Sequence, residues 1–294
     1  MGFSVPYTNQ AEKSSFALHN QFVLNRRHPM FKKIALAVAL VVASSFAAWD
    51  YYKVPEAGYA QLKVTGKYDT DSPWSGFGMN ASARFVVIPN LELSLMHLGF
   101  AYEENDNSDG SGIADFTIGA RYAILPIVNI FIDMNMPIGD ADEGSYIGSD
   151  TWGFFFGGQF TSDQFAKNLN VGAEVGTYWG FEHDGKEPGL LLTSAIEARY
   201  YIERFRLTPI AGTEFKYKLT HDKNKYTITN EATNRTYTET RKENQGDSQF
   251  NIWGGANYKI NENMSVEGLF KFRSGDQSID GDAFGLIANF YLSF

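Results

Sequence analysis

The 294-residue sequence predicts an all-β protein, a transmembrane antiparallel up-and-down β-barrel of twelve strands. Three observations lead there. A segment near the N-terminus has the parts of an export signal. Twelve later segments alternate apolar and polar residues with a period of two. The connections between those segments alternate between short and long. Composition agrees, since 15% aromatic residues, 28 glycines and only 20% charged residues suit strands and turns.

Several function classes fall away early. The chain has no cysteine, which excludes a disulfide scaffold, a thiolate zinc site and a cysteine nucleophile. A formal charge of -9 speaks against a nucleic-acid partner, which needs a basic face. A mean hydropathy of -0.27 speaks against a bundle of membrane helices, since each span needs about 20 mostly apolar residues. No cofactor or metal site is expected, because His19, His28 and His221 have no ligand spacing.

Residues 30–47 form the expected signal peptide. Lys32 and Lys33 supply its basic start, and Ile34 to Ala43 is an unbroken apolar run. Ser45-Phe46-Ala47 fits the small-x-small cleavage pattern. The run is too short to stay in a bilayer as a helix. Residues 1–29 are polar and aperiodic, and read as a spurious or extended leader, with Met30 as the alternative start. Cleavage after Ala47 leaves a chain of formal charge -13. Residues 48–58 are expected to be a periplasmic N-terminal segment, and 59–294 the barrel.

The segments follow in order. In the first, Leu62, Val64 and Tyr68 alternate with Lys63, Thr65 and Lys67. The second runs from Phe77 to Val87 with Met79, Ala81, Ala83 and Phe85 on one face. The third, Leu91–Tyr102, switches parity near Met96, which predicts a bulge. The fourth sets Phe116, Ile118, Ala120, Tyr122 and Ile124 against Asp115, Thr117 and Arg121. The fifth sets Val128, Ile130, Ile132 and Met134 against Asn129, Asp133 and Asn135. The sixth, Trp152–Phe160, is less regular, and the seventh, Leu169–Trp179, alternates cleanly. Five more cover Leu190–Ile202, Phe205–Leu219, Phe250–Ile260, Met264–Phe272 and Ala283–Phe294.

Short connections such as Ile88-Pro89-Asn90 and Leu125-Pro126 are expected on the periplasmic rim. Long ones, 69–76, 103–112, 139–151, 182–189, 220–248 and 273–282, are expected outside the cell. In the longest, Tyr226–Thr229 and Thr236–Glu239 alternate again, predicting a hairpin that extends beyond the membrane. Aromatic residues such as Tyr68, Trp74, Trp152, Trp179 and Tyr258 collect near segment ends, where interfacial girdles lie.

A soluble sandwich or lipocalin-like barrel also has one apolar face. The membrane reading is favoured because the apolar face persists for about 9–11 residues, enough to cross a bilayer at a tilt. The final segment adds Phe284, Leu286, Ala288, Phe290, Leu292 and Phe294 on one face. An alternating last strand with a final aromatic resembles the C-terminal assembly signal of bacterial outer-membrane β-barrels. That resemblance implies export to the outer membrane of a Gram-negative bacterium. It also implies contact with outer-membrane lipid and lipopolysaccharide, and reading of Phe290, Leu292 and Phe294 by the barrel assembly machinery.

The polar face then lines a lumen. Its expected basic residues are Lys63, Lys67, Arg84, Arg121, Arg199, Arg206, Lys216, Lys218, Lys259, Lys271 and Arg273. Its expected acids are Glu92, Asp115, Asp133, Glu174, Glu197, Glu214 and Glu267, a mildly basic balance inside acidic loops. Such a lumen suits a porin-like passive channel for small solutes. The alternative is a non-conducting structural or adhesin-like barrel whose loops bind a partner. Gly153, Gly157, Gly172, Gly176 and Gly180 face inward, either leaving space along one wall or receiving an aromatic such as Tyr178.

Hydrolase readings lack residues. Outer-membrane phospholipases place a serine nucleophile two residues after a histidine, but Gly99 follows His97 at that spacing. Outer-membrane proteases carry an Asp-x-Asp and an Asp-x-His pair. Asp140-Ala141-Asp142 matches the first, while His183-Asp184 lacks the spacing of the second.

Overall fold

The computed structural model describes residues 49–71, 74–105, 108–139, 151–183, 185–230, 235–276 and 282–294. The expected leader, the signal peptide and Asp140-Ala141-Asp142 lie outside these residues. The described strands are β1 (Ala60–Asp71), β2 (Trp74–Ile88), β3 (Leu91–Asn105), β4 (Ser108–Ile113), β5 (Phe116–Leu125), β6 (Val128–Met136), β7 (Gly153–Ala166), β8 (Leu169–Gly180), β9 (Lys186–Glu187), β10 (Leu191–Tyr200), β11 (Leu207–Lys218), β12 (Asp222–Asn230), β13 (Arg235–Glu243), β14 (Ser248–Lys259), β15 (Met264–Gly275) and β16 (Ala283–Ser293).

Twelve of these close into a barrel in the order β1-β2-β3-β5-β6-β7-β8-β10-β11-β14-β15-β16, every neighbour antiparallel. The twelve alternating segments are these twelve strands. Closure comes from β1, which pairs with β2 on one side and β16 on the other, Leu62 facing Leu292 and Val64 facing Phe290. A closed sheet has no free edge, which is what a lipid-exposed sheet requires.

The barrel is apolar outside and polar inside. Along β6, Ile130 and Ile132 are each 48% exposed, whereas Asn129 is 1% and Asp133 3% exposed. In water this would strand apolar surface and bury charge; in lipid it satisfies both. The parity switch in β3 is a bulge. Ala81 pairs with Leu98 and Ala83 with Leu95, so Met96 and His97 oppose Ser82 alone. His97 has φ +66 and donates its backbone N–H to Ser82 Oγ at 3.1 Å. After the bulge Leu98 and Phe100 still face outward, as Leu93 and Leu95 do before it.

The short connections lie on one rim, where Asn90 and Asn168 take positive φ in tight turns. On the other rim β4 continues β3 as a hairpin, and β9, β12 and β13 form a separate small sheet. The predicted hairpin in 220–248 is therefore present, its turn at 231–234 lying outside the described residues.

The barrel lumen and its N-terminal segment as candidate functional site

The segment expected in the periplasm is instead folded into the barrel. Trp49, Tyr51 and Val54 are buried. The cause is a set of partners on the lumen wall near the short-turn rim. Asp50 lies between two arginines, with Arg84 Nη1 2.8 Å from Oδ2 and Arg121 Nη1 2.8 Å from Oδ1. Glu92 braces the same arginines at 3.4 and 3.0 Å. Arg121 also donates to the backbone carbonyls of Asp50 and Tyr52, and Gln159 Nε2 donates to the Asp50 carbonyl at 2.8 Å. Burial alone would raise the Asp50 carboxyl, but Arg84 and Arg121 override it and hold the carboxyl far below its usual range.

A second polar network lies across the lumen on β10, β14, β15 and β16. Arg199 pairs with Glu197 at 2.8 Å and Glu267 at 3.6 Å. Trp253 Nε1 donates to Glu197, while Asn289 and Tyr291 donate to Glu267. The N-terminal segment reaches this network through Tyr52, whose hydroxyl donates to Glu197 at 3.0 Å and whose ring lies under Arg199. Between the two networks Tyr51 stacks on Trp253 with ring centroids 6.3 Å apart, and Trp49 sits beneath Lys63 and Arg84. The segment thus forms a plug.

Above the plug a cavity of about 280 Å³ remains. Its floor is Trp49, Asp50 and Tyr51. Its walls include Lys63, Lys67, Asp69, Asp115, Glu197, Arg199, Glu214, Glu267, Lys271 and Arg273. Asp115 accepts the Gly139 N–H at 2.8 Å, and Lys216 pairs with Glu214 at 3.8 Å. Glu174 accepts from Gln159 at 2.8 Å, and Asp133 is buried on β6. Lys218 is buried at the end of β11 and pairs with Asp222 at 2.7 Å. The two remaining basic residues stand elsewhere. Arg206 is exposed in the turn before β11, and Lys259 meets Glu262 at the rim. Asp50, Asp69 and Glu103 join the inner face, the last paired with Gly76 across β2 and β3. The expected basic excess therefore disappears, because a plug residue and strand ends that alternation had assigned to loops bring in acids.

The inward glycines are occupied, not vacant. A Cβ on Gly153 would strike the Tyr178 ring, and one on Gly176 the Phe155 and Phe131 rings. One on Gly172 would strike Tyr51 of the plug, and one on Gly180 would strike Pro188. Phe131, Phe155, Tyr178 and Leu191 form a buried apolar patch on this wall. At Gly153 and Gly176 the structure selects the aromatic one of the two expectations, while Gly157 packs against the backbone of Val175.

Sequence reasoning missed the plug and the neutral polar side chains of Gln159, Gln249, Asn251 and Asn289, which join Asn129 and Asn135 of the expected polar face. One signal was available for the plug. Trp49-Asp50-Tyr51-Tyr52 places three aromatic rings in a segment assigned to water. The hydrolase candidates gain no geometry, since His97 is taken up by the bulge and His183 bridges to Lys186 in the outer loops. Phe290 and Leu292 lie on the lipid-facing side of β16, and Phe294 is exposed at the rim.

Several solved structures are similar to this chain. An outer membrane channel from Pseudomonas putida F1 superposes with a TM-score of 0.63 at 14% identity, covering 84% of this chain and 99% of that one. The NanC porin gives a TM-score of 0.47 at 10% identity over 79% of this chain and 98% of its own. The CymD monoaromatic hydrocarbon channel gives 0.44 at 8% identity over 81% and 88%. No curated protein sequence matches. A family model does, over residues 52–278, from within the plug to beyond β15. The chain is an outer-membrane β-barrel and belongs to the family described as Putative MetA-pathway of phenol degradation.

Proposed function

We propose that the protein is a porin-like passive channel for small solutes, narrow throughout and closed at its short-turn end by its own N-terminal segment. The observation that carries this reading is the lumen above the plug, a cavity of about 280 Å³ bordered by charged side chains of both signs. A purely structural barrel of this size has no need of such a space, since its polar side chains could fill it. The plug is held by side chains and has no strand pairing to the wall, so it can leave without unzipping the barrel. The family description names a pathway of phenol degradation. Trp49, Tyr51, Trp253 and Tyr291 line the cavity, which suits passage of small aromatic solutes of that kind.

Planar-bilayer recording of the refolded mature chain tests the reading. Small, discrete conductance steps are expected, larger and longer-lived when residues 49–54 are deleted. Silence at all voltages in both proteins would overturn it, and would leave a structural barrel whose outer sheet of β9, β12 and β13 meets a partner.

A further inference from the structure

We propose that the Arg84–Arg121 pair is a carboxylate-binding site for the permeating solute, and that Asp50 is its internal occupant in the closed barrel. The inference rests on the channel reading and names a ligand class for it. Four features support it.

First, the geometry is that of carboxylate recognition. Each oxygen of Asp50 is taken by a different guanidinium group, both at 2.8 Å. Second, charge is balanced only with an acid in place. Among the described residues, the carboxylates within ion-pair distance of the two arginines are Asp50 and Glu92. Removing Asp50 leaves the two buried arginines with Glu92 as their one direct ion partner among the described residues, which favours another anion there.

Third, the occupant is removable. Asp50 belongs to an irregular segment, while Arg84, Arg121 and Glu92 stand on β2, β5 and β3. The receiving groups stay fixed when the segment moves. Fourth, the site opens toward the solute. Asp50 is part of the floor of the cavity, whose walls carry Lys63, Lys67 and Arg199. An anion in this cavity lies among these cations as well as Glu197, Glu214 and Glu267, and reaches Asp50 at its floor.

Asp50 and Tyr51 also place a carboxylate beside an aromatic ring. The ring stacks on Trp253, which remains on the wall if the plug departs. A small aryl carboxylate offers the same two groups in one molecule. It binds the arginines by exchange: Asp50 gives up its two charge-assisted hydrogen bonds, the solute gains them, and the plug loses its main anchor. No bond is made or broken covalently.

The test uses the refolded mature chain, with benzoate as probe and benzyl alcohol as its uncharged counterpart. Calorimetry on the detergent-solubilised barrel measures binding, and bilayer recording in potassium chloride measures opening. Asp50→Asn lies outside the strands, and fast gel migration of the unheated barrel verifies its fold. In the wild type, benzoate is expected to bind and to raise the open fraction several-fold, while benzyl alcohol does neither. In Asp50→Asn the competitor is weakened, so benzoate is expected to bind about thirtyfold more tightly or better. The open fraction is then already raised, and benzoate adds little to it. Adding Arg84→Gln to Asp50→Asn is expected to abolish that gain in affinity. Equal benzoate affinity in wild type and Asp50→Asn, or equal action of benzyl alcohol, overturns the proposal. Absence of conductance in every protein defeats the channel reading alone, because calorimetry still decides the site.

Discussion

The two polar networks that meet the plug differ in what they need from it. On the β2–β5 side, Arg84 and Arg121 share Glu92, and the second carboxylate they pair with comes from the plug. On the β10–β16 side, Arg199 already has Glu197 and Glu267, and the plug adds uncharged groups, the Tyr52 hydroxyl and ring and the Tyr51 ring on Trp253. The first network is completed by the plug, whereas the second merely receives it. A buried charge without a partner costs far more than a neutral hydroxyl without one. The plug is therefore anchored at Asp50 and steadied at Tyr52.

The largest effect is expected from Arg121→Gln. It leaves two carboxylates leaning on Arg84 alone, at a cost of about 3–5 kcal/mol to the barrel. Urea unfolding in lipid bilayers, compared with Arg199→Gln, measures it. Arg199 is more exposed, so its loss should cost less; the reverse order would break the comparison. Asp50→Asn comes next and is expected to weaken plug docking by about 2–5 kcal/mol without loss of the barrel. A spin label at the exposed Lys53 reads it as a gain in mobility. Gly176→Ala forces an added methyl against Phe155 and Phe131 and should cost about 1–3 kcal/mol in the same unfolding experiment.

Tyr52→Phe removes one hydrogen bond and should weaken docking by about 1 kcal/mol. A mobility gain equal to that of Asp50→Asn would show that the two networks hold the plug alike. The smallest response is to pH. The docked Asp50 carboxyl sits far below its usual range, and an undocked one titrates near its ordinary value of about 3.9. Its contribution to docking is thus complete above that ordinary value and is lost as pH falls through it toward the docked one. The label at Lys53 should report no Asp50-dependent change from pH 8 to 5 and a release below about pH 4. That release should be absent in Asp50→Asn.

The barrel strands were legible because a strand in a barrel wall has a different solvent on each face. Ile130 beside Asn129, or Val64 beside Thr65, records lipid on one side and lumen on the other. The bulge at Met96–His97 was legible for the same reason, since an inserted residue must reverse parity to keep Leu98 and Phe100 in lipid. The plug has no such period. An irregular segment's position depends on side-chain partners distant in sequence, and Asp50 meets Arg84 and Arg121 only after the sheet has closed.

By itself, then, the sequence determined the number of strands, their facing and the charged nature of the interior, because each is a local consequence of alternation between two solvents. The tertiary structure alone decided which charges neutralise one another and where the inward glycines' space goes. It also decided that Trp49 to Val54 occupy the lumen. Those outcomes depend on closing the ring, which brings the walls within ion-pair distance and leaves the buried arginines in need of a carboxylate that local pattern does not supply.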